Sequence, residues 1–233
     1  MKEFFDKKER LICILSIVLY VVLESYFIQN FGFTSYISFI ANTIFSIVLL
    51  LLIYSSKREE YYGLKKPNNV KGFLYFLPLL VIGTVNIWTG ISLNASANDI
   101  LFHILTMINA GFIEEILFRG FLFKLLEKKN IKMAIIISSL TFGLGHIVNM
   151  FNGADLIPTL VQVLYAVAIG YLFVIIFIKS KSLLPCIFTH MLFNSLSIVN
   201  VDIDSTFTNY IIPLILIIVV LLYAYYINKQ VKD

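Results

Sequence analysis

The sequence predicts an all-α fold, a polytopic membrane protein built as a bundle of about eight transmembrane helices, on three observations. Hydrophobic residues make up 59% of the 233-residue chain and charged residues only 14%. The mean hydropathy is +0.89, so little polar surface is left to satisfy water. Next, eight windows come close to or exceed the roughly 20 apolar residues that cross a ~30 Å hydrocarbon core. They lie at 11–27, 36–54, 73–93, 100–126, 133–148, 156–178, 183–199 and 210–227. The third observation is that charge sorts the connections between them.

Lys2, Lys7, Lys8 and Arg10 precede the first window, and Lys57, Arg58, Lys65, Lys66 and Lys71 join the second to the third. Lys124, Lys128, Lys129 and Lys132 fall between the fourth and fifth, Lys179 and Lys181 between the sixth and seventh, and Lys229 and Lys232 follow the eighth. The alternate connections hold only Asp99, Asp155, Asp202 and Asp204. The excess of cations on cytoplasmic loops therefore puts both termini in the cytoplasm of a cell membrane, most simply a bacterial plasma membrane. Residues 1–233 read as a single integral membrane domain, with no internal repeat. The first apolar run is too long for a signal-peptide core and has no small-residue cleavage site, so it is expected to be a retained helix.

The net charge of +4 comes from the cytoplasmic loops, which points to contact with the lipid bilayer and its anionic headgroups, and to no nucleic-acid partner. Cys13 and Cys186 fall inside apolar windows without metal-ligand spacing and read as small buried side chains. The polar segment 55–72, with Tyr61, Tyr62 and Leu64 among lysines, is expected to lie on the inner membrane surface. Asn94-Ala95-Ser96 matches a glycosylation sequon with no other support.

One window breaks the rule that lipid-spanning segments avoid charge. GFIEEILFRGFLF, residues 111–123, carries Glu114, Glu115 and Arg119. At about 2.5–3.5 kcal/mol each for insertion at a helix centre, the three cost roughly 8–10 kcal/mol if unpaired. Helical spacing relieves part of this: Glu115 and Arg119 are one turn apart in the favourable acid-then-base order. Glu114 lies about 140° around the helix from Arg119 at ~100° per residue, and is the carboxylate left for other work.

Two further windows carry complementary groups. SLTFGLGHIVN, 139–149, sets Phe142 and His146 one turn apart, with Gly143 and Gly145 thinning the helix for close approach. PCIFTHMLFNS, 185–195, sets His190 and Asn194 on one face. His103 and Glu24 have no evident partners in the sequence and read as packing or interfacial groups.

EEILFR (114–119), FGLGH (142–146) and HMLFN (190–194) reproduce in order the EExxxR, FxxxH and HxxxN patterns of the CPBP family. The chain resembles this family of intramembrane CAAX-type proteases and bacteriocin-processing or immunity proteins, also called Abi proteins. YYGLKKP (61–67) resembles the segment that precedes the family's core. The resemblance implies a motif-bearing catalytic core of four helices over 100–199 and endoproteolysis in a conical, cytoplasm-facing cavity. It further implies Glu114 as the carboxylate that activates water and His146 as its partner. His190 and Asn194 would stabilise the oxyanion, with Glu115, Arg119 and Phe142 in support.

The chemistry is coherent without the name. Amide hydrolysis needs a base beside a water and donors aimed at the charge developing on the carbonyl oxygen. No Ser-His-Asp or Cys-His arrangement accompanies these positions, which disfavours an acyl-enzyme. No cofactor is expected. A zinc ion, if bound, would take Glu114, His146 and His190, although no HExxH motif sets two ligands one turn apart.

Depth poses a constraint. At ~1.5 Å per residue, Glu114 and His190 lie about 15 and 13 Å from their cytoplasmic lysines, but His146 about 21 Å from Lys132, so the fifth helix must tilt or begin in the cytoplasm.

The first reading is an intramembrane endopeptidase acting on a peptide or membrane-anchored protein, in the maturation of a bacteriocin or signalling peptide. Its alternatives are a non-proteolytic bacteriocin self-immunity or partner-binding protein, and a proton-coupled transporter. The lack of repeated halves counts against the transporter.

Overall fold

A computed structural model describes residues 2–67, 76–201, 203 and 205–230. Lys71, Asp202, Asp204, Lys232 and the start of the expected third span lie outside them. α1 (Lys2–Phe31) and α2 (Tyr36–Ser55) form a hairpin, followed by the short α3 (Pro78–Gly83) and a 3-10 turn at Val85–Ile87. α4 (Ala97–Glu115) runs through a π-helical stretch, Ile116–Phe123, into α5 (Lys124–Glu127). α6 (Ile131–Gly145), α7 (Val148–Phe151) and α8 (Leu156–Ser180) come next. α9 (Leu184–Ser195) ends in a 3-10 turn at Leu196–Val199, and a π turn at Phe207–Ile211 opens α10 (Ile212–Gln230).

The all-α polytopic class is borne out. Six helical runs are long and apolar enough to cross a membrane, and Leu184–Val199 is a shorter apolar helix. Among the described residues the only extended pairing is an isolated bridge between Ile91 and Asn200.

The described part of the expected third span is not one continuous helix. Polar side chains there engage backbone carbonyls: the Thr84 hydroxyl donates to Val81 O, and Asn86 Nδ2 reaches Phe193 O at 2.7 Å. The Thr84 bond is local and competes with helical continuation, whereas the Asn86 bond ties the segment to a residue 107 positions away.

Lipid as solvent explains which face each helix buries. α2 turns Ser38, Asn42, Ser46, Leu49 and Ile53 inward at helical spacing, while Ile44, Leu51 and Tyr54 face outward. Its polar stripe joins it to α4: Ser46 Oγ donates to Asn109 Oδ1 at 2.7 Å, and Asn109 Nδ2 donates to Thr43 Oγ1 at 3.2 Å. Between helices in lipid, such bonds supply adhesion that apolar side chains alone do not. α8 is the central helix, packed on α6 and α10, and its run from Leu172 to Phe177 is buried throughout, as a helix apolar on all sides should be.

The basic connections meet at one end of the bundle. Arg58 Nη1 pairs with Glu9 Oε1 at 2.6 Å, Lys128 pairs with Glu9 Oε2, and Leu183 N donates to Gly63 O at 2.8 Å. Within the segment 61–67, expected to lie on the inner membrane surface, Tyr62 turns into the protein. Tyr62 is fully buried against Phe5 and Phe121, and Ser182 Oγ bonds Lys65 O, so the segment closes the basic end. Gly63, at φ 78°, takes a turn that L side chains rarely adopt, with Phe177 pressed where a Cβ would stand. Burial pushes the Tyr61 and Tyr62 phenols above their ordinary pKa, which keeps both as neutral donors.

Candidate active site

The three motifs converge because close helix contacts bring them together. α4 packs on α9 at Gly111, where a Cβ would stand 2.9 Å from Met191 N and 3.2 Å from the carbonyl carbon of His190. α6 packs on α8 at Gly143, where a Cβ would meet Val167 Cγ2 at 2.3 Å. The thinning at Gly143 thus serves a neighbouring helix, not a substrate. Gly170 on α8 opens a third space, bounded by Phe142, Ser139 and Arg119 Nη2.

EEILFR sits where α4 passes into the π-helical stretch, a widened turn that proteins retain chiefly at functional sites. The ion pair expected from spacing forms: Arg119 Nη1 donates to Glu115 Oε1 at 2.8 Å, with both side chains fully buried. The rest of the guanidinium lies against aromatic faces. Arg119 lies over Phe142 at 4.0 Å and Phe173 at 5.4 Å from the ring centroids, while its Nε and Nη2 lack hydrogen-bond partners. A desolvated cation over an aromatic ring gains about 2 kcal/mol.

His190 links the first and third motifs. Its Nδ1 lies 2.8 Å from Glu115 Oε1, the same oxygen that accepts from Arg119. A carboxylate accepts, so Nδ1 carries the hydrogen. That bond orients the ring and turns Nε2 toward Glu114 Oε2, at 3.6 Å, just beyond direct hydrogen-bond reach. Glu114 is not unpartnered, as the spacing suggested. Tyr20 OH on α1 donates to its Oε1 at 3.2 Å.

His146 caps the C-terminal end of α6, with its ring against Phe142 at 5.4 Å between centroids. Phe142 also touches His190, at 5.6 Å. One aromatic side chain therefore supports Arg119 and both histidines. Among the described residues, no protein group hydrogen-bonds the His146 ring or the Asn194 side-chain amide, which leaves both free for a ligand.

Glu114, His146, Asn194 and Phe142 line a common cavity of about 420 Å³. His146 and Glu114, from α6 and α4, both line it. His190 sits at the side, in a pocket of about 50 Å³ that it lines with His146 and Asn194, room enough for a water or a carbonyl group. Glu115 and Arg119 are buried behind the cavity. Among the described residues, no three His, Cys, Asp or Glu side chains gather so as to hold a metal ion.

Several residues of the cavity were not expected. Tyr20 reaches the site from 94 positions away in sequence. Glu24 has a partner after all, accepting from Asn42 Nδ2 at 2.8 Å, and it lines the cavity, as does His103. His103 Nε2 lies 2.9 Å from Ser197 Oγ. A Tyr and a Glu one turn apart in an apolar first helix, facing an Asn in the second, were the available signal.

The cavity faces away from the basic connections. Its wall includes Ser25, Phe33, Asn152 and Ala154, all beside the turns that end α1 and α7, opposite the Glu9, Arg58 and Lys128 cluster. This differs from the cytoplasm-facing cavity that the resemblance implied together with the positive-inside topology.

Residues 95–196 match the family model described as type II CAAX prenyl endopeptidase Rce1-like. The matched segment contains all three motifs. No curated protein matches the chain.

Proposed function

We propose that this chain, an integral membrane protein whose residues 95–196 are of the Rce1-like CAAX-protease type, hydrolyses a peptide bond with water activated by Glu114. The observation that carries the reading is the cavity that Glu114 shares with His146 and Asn194, with His190 held at its side by Glu115.

The substrate is a peptide or membrane-anchored protein whose scissile carbonyl sits between Glu114 and the side pocket. Glu114 takes a proton from a water that also hydrogen-bonds His146, and the water oxygen bonds to the carbonyl carbon. With both ring nitrogens protonated, Nδ1–H held on Glu115 and Nε2–H aimed at the carbonyl, His190 donates to the oxyanion together with the Asn194 amide as charge develops. The C–N bond then breaks, the proton returns from Glu114 to the leaving nitrogen, and a free carboxylate and a free amine result. Tyr20 positions Glu114, and Glu115, Arg119 and Phe142 position His190. No step passes through a metal or a covalent intermediate.

Purified chain in proteoliposomes, given internally quenched peptides, is expected to cut them into fragments with newly formed carboxyl and amino ends, undiminished by exhaustive chelation. Folded protein that cuts none of them refutes the proteolytic reading. Loss on chelation that stoichiometric zinc restores refutes the metal-free one.

In this reading the basic end lies in the cytoplasm of a bacterial plasma membrane, with both termini, and the cavity opens on the outer side. The substrate class that fits is a secreted signalling or bacteriocin peptide. The native Cys13 and Cys186 are buried, so introduced cysteines can report sidedness. In intact cells, Ala154→Cys is expected to react with a membrane-impermeant maleimide and Lys66→Cys only after permeabilisation. The reverse pattern would invert the topology.

A further inference from the structure

Glu24 is a second carboxylate in the cavity to which the hydrolytic reaction gives no task. It lies one helical turn from Tyr20, the residue that holds Glu114, and farther toward the open end of the cavity. Four residues of α-helix rise about 6 Å, close to the ~6.6 Å spanned by two residues of extended peptide. Glu24 Oε2 accepts from Asn42 Nδ2 at 2.8 Å, a neutral partner that fixes the side chain in place.

No Lys or Arg lines the cavity among the described residues, and its acidic lining residues are Glu24 and Glu114. Asp99 and Asp155, at the starts of α4 and α8, stand at the same end of the bundle. The potential there favours an arriving cation. A segment bearing a carboxylate near the scissile bond, a chain terminus included, would meet Glu24 with nothing to pair it, at a cost that rises as water is excluded.

We propose that Glu24 is a specificity-determining residue that selects peptides with a basic side chain about two residues from the scissile bond. This deepens the proteolytic reading and rests on it. The selected side chain is an ammonium or guanidinium, held against Glu24 by a charge-assisted hydrogen bond.

The test uses the full chain in proteoliposomes and a library of internally quenched decapeptides. Each carries one lysine, or in its pair one acetyllysine, at successive positions. Acetylation keeps the apolar stem and removes the charge, so the ratio of kcat/KM within a pair isolates the ion pair. The wild type is expected to prefer lysine about tenfold or more, as exposed-to-buried ion pairs allow, at a position about two residues from the cut. In Glu24→Gln, whose amide oxygen still accepts from Asn42, that ratio is expected to fall to about one. A purely structural Glu24 would lower both members of each pair together and leave the ratio unchanged. Cleavage without lysine preference, or a preference that survives Glu24→Gln, overturns this inference alone. Cleavage of no peptide, or cleavage that Glu114→Gln does not diminish, overturns the proteolytic reading and this one with it.

Discussion

Glu114→Gln is expected to lower kcat/KM by about 10²- to 10⁴-fold, the range contributed by a positioned general base, at an unchanged protein level. The substitution is nearly isosteric, and its amide oxygen still accepts from Tyr20 OH, which donates to Glu114 Oε1 at 3.2 Å. What is lost is the capacity to take a proton from water. Because a glutamine at this position carries no charge into the membrane, the fold should gain stability, if it changes at all. A kinetic loss with retained or improved stability separates catalysis from structure. It also separates the protease from the immunity reading, since a binding protein would keep its biological output. Activity within twofold of wild type would remove Glu114 from the mechanism.

Arg119→Met is expected to destabilise the protein by about 3–5 kcal/mol, the cost of removing one partner from a buried ion pair. Methionine roughly fills the stem volume, so the loss reports the charge. Glu115 is fully buried, its Oε2 has no partner, and its Oε1 would keep only His190. Neutralising Glu115 as well, in Arg119→Met/Glu115→Gln, is expected to recover part of the loss. The side-chain amide oxygen introduced by Glu115→Gln still accepts from His190 Nδ1, with no carboxylate left uncompensated. The measurement is equilibrium unfolding in mixed micelles of the wild type, both single variants and the double variant. A single-variant cost under about 1 kcal/mol, typical of exposed pairs, would contradict the buried ion pair.

Much of the site was legible because its cues are local. The charges in the 111–123 run stand out against lipid, and the one-turn spacing of Glu115 and Arg119 predicts a pair that forms at 2.8 Å. The spacing of Phe142 and His146 likewise survives, although His146 lies at the helix cap and not within the helix. The fold class follows from hydropathy, since only closed secondary structure satisfies the backbone in lipid.

What stayed hidden depends on contacts between distant segments. Helical periodicity says nothing of which helices touch, so it links neither Tyr20 to Glu114 nor Glu24 to Asn42. Spacing assigns Glu115 to Arg119 alone, whereas one oxygen serves both Arg119 and His190. The segment 61–67 looks interfacial in sequence because lysines flank its tyrosines; in the folded chain Tyr62 packs inward and the lysines do not. The 73–93 window is apolar enough to suggest a span, but Thr84 bonds the backbone three residues back and Asn86 the distant carbonyl of Phe193. Which end of the cavity opens depends on packing at α1, α4 and α6 together, and no single motif carries it.

The central claim is that Glu114 and His146, from separate helices, act on one water. The most direct test is a double-mutant cycle on kcat/KM with Glu114→Gln, His146→Ala and their combination, using one peptide substrate in proteoliposomes. Residues that act as a unit lose their effect together, so the double variant is expected to be no slower than the slower single variant, within about threefold. Losses that multiply in full across the cycle would mean that the two residues work independently, and would contradict the shared water.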